Sequence, residues 1–279
     1  MTSAQNFEIQ YNASGGQPPV AMTLHIAASG QAELYLGSSW SVPQGGSDKI
    51  GYFGGPVDDA AWSQLNAYFN DHDFLARSGG AASTSPGPTN RSLTLKQAGR
   101  ETSLVIGDTS NDPELVTATT MLDEIIIALT DQPLRAVQAG LAVAPVSAGL
   151  EPTLTLTHLG SEPLPILLFD PADTNQYLRL ELAFVSVISM PSGLTMRQPL
   201  GGVKVPREAI AALVEAGAIP GGVTDLAGGQ SYQLVLDPLA QPKGQNVTLN
   251  ATLTFWLPGA GAERRVVYLQ PPSLVVQEE

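Results

Sequence analysis

Phe7-Glu8-Ile9-Gln10-Tyr11-Asn12-Ala13-Ser14-Gly15-Gly16 is the stretch on which the reading of the fold turns. Phe7, Ile9 and Tyr11 alternate with polar residues, the period of a strand with one buried face. Asn12-Ala-Ser-Gly-Gly then breaks it. Met22, Leu24 and Ile26 resume the alternation. A turn at Ala28-Ser-Gly30 and a strand through Leu34 and Leu36 complete a hairpin. Pro56-Val-Asp-Asp opens a helix whose Ala61, Trp62, Leu65, Tyr68 and Phe69 recur at helical spacing, with acidic residues in its first turn. Residues 78–91 form a low-complexity loop rich in Gly, Ser and Pro. Leu93 and Leu95, then Leu104 and Ile106, mark a second hairpin around Gln97–Arg100. Asn111 or Asp112 caps the next helix, Pro113 enters its first turn, and Leu115, Leu122, Ile125, Ile126 and Leu129 form its apolar stripe.

Residues 138–151 read as a linker, or as an edge strand through Leu141 and Val143. The rest reads as mainly β, with strands over 153–157, 164–169, 177–187, 232–236, 247–256, 264–269 and 273–276. About seven short strands separated by turn signals suit an immunoglobulin-like sandwich. A short helix from Pro206 to Gly217 interrupts a long Gly/Pro-rich connection, 189–229. The expected architecture is therefore an α+β N-terminal domain over 1–140, with two β-hairpins and two helices, followed by an all-β immunoglobulin-like sandwich over 150–279.

Composition removes several function classes. The 279 residues contain no cysteine, which excludes disulfides, a thiol nucleophile and cysteine-ligated metals. Residues 1–145 hold 6 basic and 14 acidic side chains, and residues 146–279 hold 7 and 12, so both halves are acidic. That balance argues against nucleic acid, which needs basic patches. No stretch has the apolar length of a membrane-spanning helix. Met1–Gln10 lacks a basic start followed by an apolar run, so a cytoplasmic location is expected, with secretion the alternative if a leader has been trimmed.

The chemistry-bearing motifs are sparse. His25, His72 and His158 are the only histidines, and no two stand at the spacing of a zinc helix. Asp71-His72-Asp73 and Asp170-Pro-Ala-Asp173 are the sharpest metal-like clusters. The first reads as a solvated helix end and the second as a turn, since neither supplies a full ligand set. No nucleophile elbow, phosphate loop or dinucleotide fingerprint is present. No catalytic residue, metal or cofactor is expected, and the chain reads as a non-enzymatic protein. Trp40, in Gly37-Ser-Ser-Trp-Ser-Val-Pro, is the tryptophan expected to be exposed in a loop.

The order of elements in the first half resembles a known family. A strand ending in Ser14-Gly15-Gly16 is followed by a hairpin and by a helix of the form Asp59-x-x-Trp62-x-x-Leu65 leading into Asp73-Phe74. A second hairpin and a helix opened by Asp112-Pro-Glu-Leu115 come after it. Over roughly residues 5–137 this is similar to the emfourin family, small proteinaceous inhibitors of thermolysin-like metalloproteases. After Gly16 the chain reads Gln17-Pro18-Pro19, where that family favours an aromatic and a small residue. The resemblance implies a protein partner, a metalloprotease, and inhibition by occlusion. The partner-binding candidates are Asn12, Ser14, Gly15, Gly16 and Trp40. Two other expectations stand beside it: a structural module docking into a larger complex, and a carbohydrate-binding module using Trp40.

Overall fold

The computed structural model describes residues 6–42, 47–79, 89–107, 112–189, 195–217, 219, 222–240, 247–258 and 264–276. The chain divides into two compact units, Met1–Ala136 and Val137–Glu279.

In the first unit, β1 (Glu8–Gly15), β2 (Val20–Ile26), β3 (Gln31–Leu36) and β4 (Lys49–Pro56) precede helix α1 (Asp59–Asp71). After it come β5 (Thr89–Gln97), β6 (Arg100–Ile106), α2 (Pro113–Leu129) and the start of β7 (Pro133–Val146). Six strands lie in the antiparallel order β4-β3-β2-β1-β5-β6, and the opening residues of β7 sit beside β4. β1 is thus an inner strand. Ile9, Tyr11, Leu24, Leu34, Phe53, Leu93 and Leu95 are almost fully buried, as are Leu65 and Phe69 of α1 and Leu122 and Ile126 of α2. Each such side chain contributes roughly 1.5–3 kcal/mol by leaving water. Both helices start at an aspartate. Asp58 Oδ1 accepts from the N–H groups of Ala60 and Ala61, each at 3.0 Å. Asp112 Oδ1 accepts from those of Glu114 and Leu115, satisfying donors with no helical partner. Asn66 fastens α1 to the sheet: its Oδ1 accepts the Phe7 N–H at 2.8 Å.

The second unit holds the rest of β7 and β8 (Gly149–His158), β9 (Leu164–Leu167), β10 (Arg179–Ser189), β11 (Thr195–Lys204), α3 (Arg207–Glu215), β12 (Val223–Leu226), β13 (Ser231–Val235), β14 (Val247–Pro258), β15 (Arg264–Leu269) and β16 (Leu274–Val276). One group of strands runs β7-β8-β13. The other runs β11-β10-β14-β9-β12, with β15 and β16 also paired to β14. β14 alternates buried and half-buried residues over its twelve positions, and Leu249, Leu253, Phe255 and Leu257 are wholly buried.

This overturns the expected pairing of a small α+β domain with an immunoglobulin-like sandwich. The chain is mostly β, with large antiparallel sheets and three α-helices among the described residues. In the first unit the hairpins are merged through β1 into one sheet, which also takes in β4, a strand not expected from the sequence. In the second, β14 serves as a common partner for β10, β9, β15 and β16. β11, α3 and β12 are built from the connection read as irregular apart from its helix. Asn111 and most of the 78–91 loop lie outside the described residues. No helix among the described residues is long and apolar enough to cross a membrane.

Two backbone positions carry opposite consequences. Gly51 has φ +120°, and a Cβ there would run into the Arg135 carbonyl and lie 2.9 Å from the Ala136 Cα. Ala98, at the tip of the β5–β6 turn, has φ +51°, where a Cβ is unfavourable. Gly51→Ala should therefore lower stability by about 2–4 kcal/mol, and Ala98→Gly should raise it by about 1 kcal/mol. Urea unfolding measures both. In the second unit, His158 is fully buried and neither ring nitrogen has a hydrogen-bond partner among the described residues. His158→Leu should gain about 1 kcal/mol or more, because it removes two unsatisfied polar atoms from the core.

Candidate functional site

The β1–β2 hairpin end is assembled from short-range turn chemistry and then tied down from a distance. Ser14 and Gly15 are exposed, Gly16 is half-buried, and both glycines have positive φ, +92° and +85°. The chain reverses here through Gln17-Pro18-Pro19 into Val20. Past β3, a single 3-10 turn over Ser39–Ser41 packs against this end. Ser38 Oγ donates to the Pro19 carbonyl at 2.5 Å and accepts the Trp40 N–H at 3.2 Å. Ser41 Oγ donates to the Ala21 carbonyl at 2.9 Å and accepts the Ala21 N–H at 3.0 Å. The Gly37 N–H also donates to the Ala21 carbonyl, at 2.7 Å. Ser38, Ser39 and Ser41 are all buried, whereas Trp40 between them is half-buried. Trp40 thus sits in a braced turn beside the hairpin end rather than in an open loop.

Strand register supplies the rest. Asn12 is opposite Thr23 on one side and Ser92 on the other. Thr23 is opposite Tyr35, and Tyr35 opposite Tyr52. Residues directly opposite in neighbouring strands share a face, so Ser92, Asn12, Thr23, Tyr35 and Tyr52 make one row across five strands. It lies on the sheet face opposite that of Tyr11, Leu24 and Leu34. Asn12 Nδ2 donates to Ser92 Oγ at 3.4 Å. The Tyr35 and Tyr52 rings are 5.0 Å apart, and the Arg135 guanidinium lies 4.7 Å from the Tyr52 ring centroid. Contacts of both kinds are each worth about 0.5–1.5 kcal/mol. Sequence reasoning picked out Asn12, Ser14, Gly15, Gly16 and Trp40, and the structure brings all five to one end of the sheet. It missed Tyr35, Tyr52 and Arg135, whose alignment depends on register across strands distant in sequence.

Beneath this row lies a polar core group. Arg91 Nη1 donates to the Tyr11 hydroxyl at 3.0 Å and stands 3.7 Å from Asp123 Oδ2 of α2. Burial pushes the Tyr11 hydroxyl up to about 12, against the pull of Arg91. Burial likewise raises the Asp123 carboxyl above its ordinary value, again opposed by Arg91.

The metal-like clusters are engaged locally. His72 closes α1, its Nδ1 3.0 Å from the Tyr68 carbonyl and its ring 4.2 Å from the Tyr68 ring. Asp170 accepts from the Ala172 N–H and from Arg264, at 2.8 and 2.9 Å, and these contacts hold its carboxyl below the usual range. Asp173 accepts from the Asn175 N–H and from Gln176 Nε2. The segment is a loop turn closed by its own aspartates.

No family model matches the chain, and no curated protein matches it. Among solved structures, the sporulation control protein Spo0M from Bacillus subtilis shows 13% identity and a TM-score of 0.24. The match covers 50% of each chain, so this chain spans about half the length of Spo0M. A likeness that slight carries no argument about fold or function.

The raised Asp123 carboxyl has a pH consequence. A carboxyl that holds its proton more tightly folded than unfolded stabilises the fold at acid pH, and that contribution is lost as pH rises through its folded pKa. Asp123→Asn removes the titration. The melting temperature of the variant relative to the parent should therefore climb as pH rises above the ordinary carboxylate range of about 4. A flat or falling difference would show that burial of the charge does not set the balance.

Proposed function

We propose that this chain is a non-enzymatic protein-binding protein whose first unit grips its partner with the braced hairpin end and the Asn12–Thr23–Tyr35–Tyr52 row. We further propose that the partner is a thermolysin-like metalloprotease, held by occlusion, the activity that the emfourin resemblance implies. The observation that carries the reading is that Ser38 and Ser41 brace the hairpin end at Pro19 and Ala21, beside the exposed Ser14 and Gly15. A loop ordered before binding loses little freedom on association. A glycine pair lets backbone enter a cleft without side-chain bulk. Tyrosines beside an arginine are the residue types that dominate interface energies. The reading places the protein in the cytoplasm, away from nucleic acid and membrane surfaces, and gives it no cofactor.

One observation favours a second reading, an assembly module. β11 ends its strand order, and Met196, Leu200 and Val203 along it are exposed. Such an edge can accept a further strand, although Pro199 interrupts its row of donors.

Titration of a thermolysin-like protease separates the two. The inhibitor reading expects stoichiometric loss of activity, and at least a tenfold weaker inhibition constant for Tyr52→Ala, by analogy with interface hot spots of about 2 kcal/mol. Unchanged rates at excess protein remove it. A mass by light scattering well above one chain would then favour assembly.

A further inference from the structure

We propose that the groove between α1 and α2 docks a basic amphipathic helical segment of a partner protein. This stands apart from the hairpin end and does not rest on the protease reading. The groove has a volume of about 300 Å³. Val57, Ala61, Ile125 and Leu129 line it with apolar surface, and Met121 and Ala128 also border it. On α2 the lining residues Met121, Glu124, Ile125, Ala128 and Leu129 follow the i, i+3, i+4, i+7, i+8 spacing of one helix face. That face is about 12 Å long at 1.5 Å per residue, a little over two turns of an incoming helix.

Two observations select the occupant. The volume is at the bottom of the range for small-molecule pockets, so it suits inserted side chains better than an enclosed ligand. Charge decides its character: neither helix carries a single lysine or arginine. The groove residues with charge are Asp58 and Glu124. Asp58 uses its carboxylate to cap α1, and Glu124 is exposed without an ion-pair partner among the described residues. Aliphatic knobs flanked by lysine or arginine complement this surface, as in other helix-in-groove complexes. An acidic helix would be repelled by it.

The test uses the full chain and two labelled model peptides of about 18 residues, long enough for several helical turns. One is a leucine/lysine amphipathic helix, the other its leucine/glutamate counterpart. Fluorescence anisotropy should rise for the first and stay flat for the second. Ala128→Trp fills the groove at an exposed position without altering charge, and should weaken the leucine/lysine peptide about tenfold, the scale of an interface anchor. Ala61→Leu, from the opposite wall, should weaken it in the same direction and keeps the test decisive if the first variant misfolds. Glu124→Lys should weaken it at least threefold, about the upper range of a surface ion pair. The proposal is overturned if the leucine/lysine peptide fails to bind. It is equally overturned if the glutamate peptide binds as well, or if filling the groove leaves affinity unchanged, which would reduce the effect to general attraction by an acidic protein.

Discussion

The structure of the first unit depends on β1 being paired along both edges in a register that cannot slip. Tyr11 is opposite Leu24 and Leu93, and all three point into the core. A shift of one residue would turn Ile9 and Tyr11 to solvent and bring Gln10 and Asn12 inside. Asn12 is therefore fixed on the outer face because Tyr11 is fixed on the inner one. The row from Ser92 to Tyr52 inherits its alignment from the same constraint. Arg91 reinforces it, joining the Tyr11 hydroxyl in the core to Asp123 on α2.

The hairpin end adds a second level of order. Ser38 and Ser41 are small and buried, and their hydroxyls occupy backbone groups of Pro19 and Ala21 that a turn would otherwise present to water. A hydrogen bond of this kind contributes about 1 kcal/mol net. Its larger effect is to remove alternative conformations from an exposed turn. The proposed grip on a partner draws on this stiffness, because ordering a loose loop on contact costs affinity.

Much of this was legible in the chain, and the failures have physical causes. β1, β2, β3, β5 and β6 announce themselves by strict alternation, and α1 and α2 by aspartate caps and apolar stripes. β4 does not, because Lys49-Ile-Gly-Tyr-Phe-Gly-Gly-Pro56 carries three glycines and a proline, the usual marks of a loop. Gly51 is there for contact, since the backbone at Arg135 and Ala136 leaves no room for a Cβ. β11 is disguised in the same way by Pro199-Leu-Gly-Gly202. The seven short strands expected in the second half are present as β8, β9, β10, β13, β14, β15 and β16, but β11 and β12 were missed, and a count does not say which strand pairs with which. The immunoglobulin-like reading failed on that point, because β14 gathers so many partners. Turn chemistry pointed to Ser14, Gly15 and Gly16. Tyr35 and Tyr52 looked like ordinary strand aromatics until register set them side by side.

The most direct test of the central claim is native-state hydrogen exchange at the hairpin end. The account predicts that the amides of Ala21, Gly37 and Ser41, which donate to the Ser41 hydroxyl, the Ala21 carbonyl and the Ser38 carbonyl, exchange nearly as slowly as those of β1. Exchange at these three positions at the rate of an unstructured loop, with β1 still protected, would contradict it.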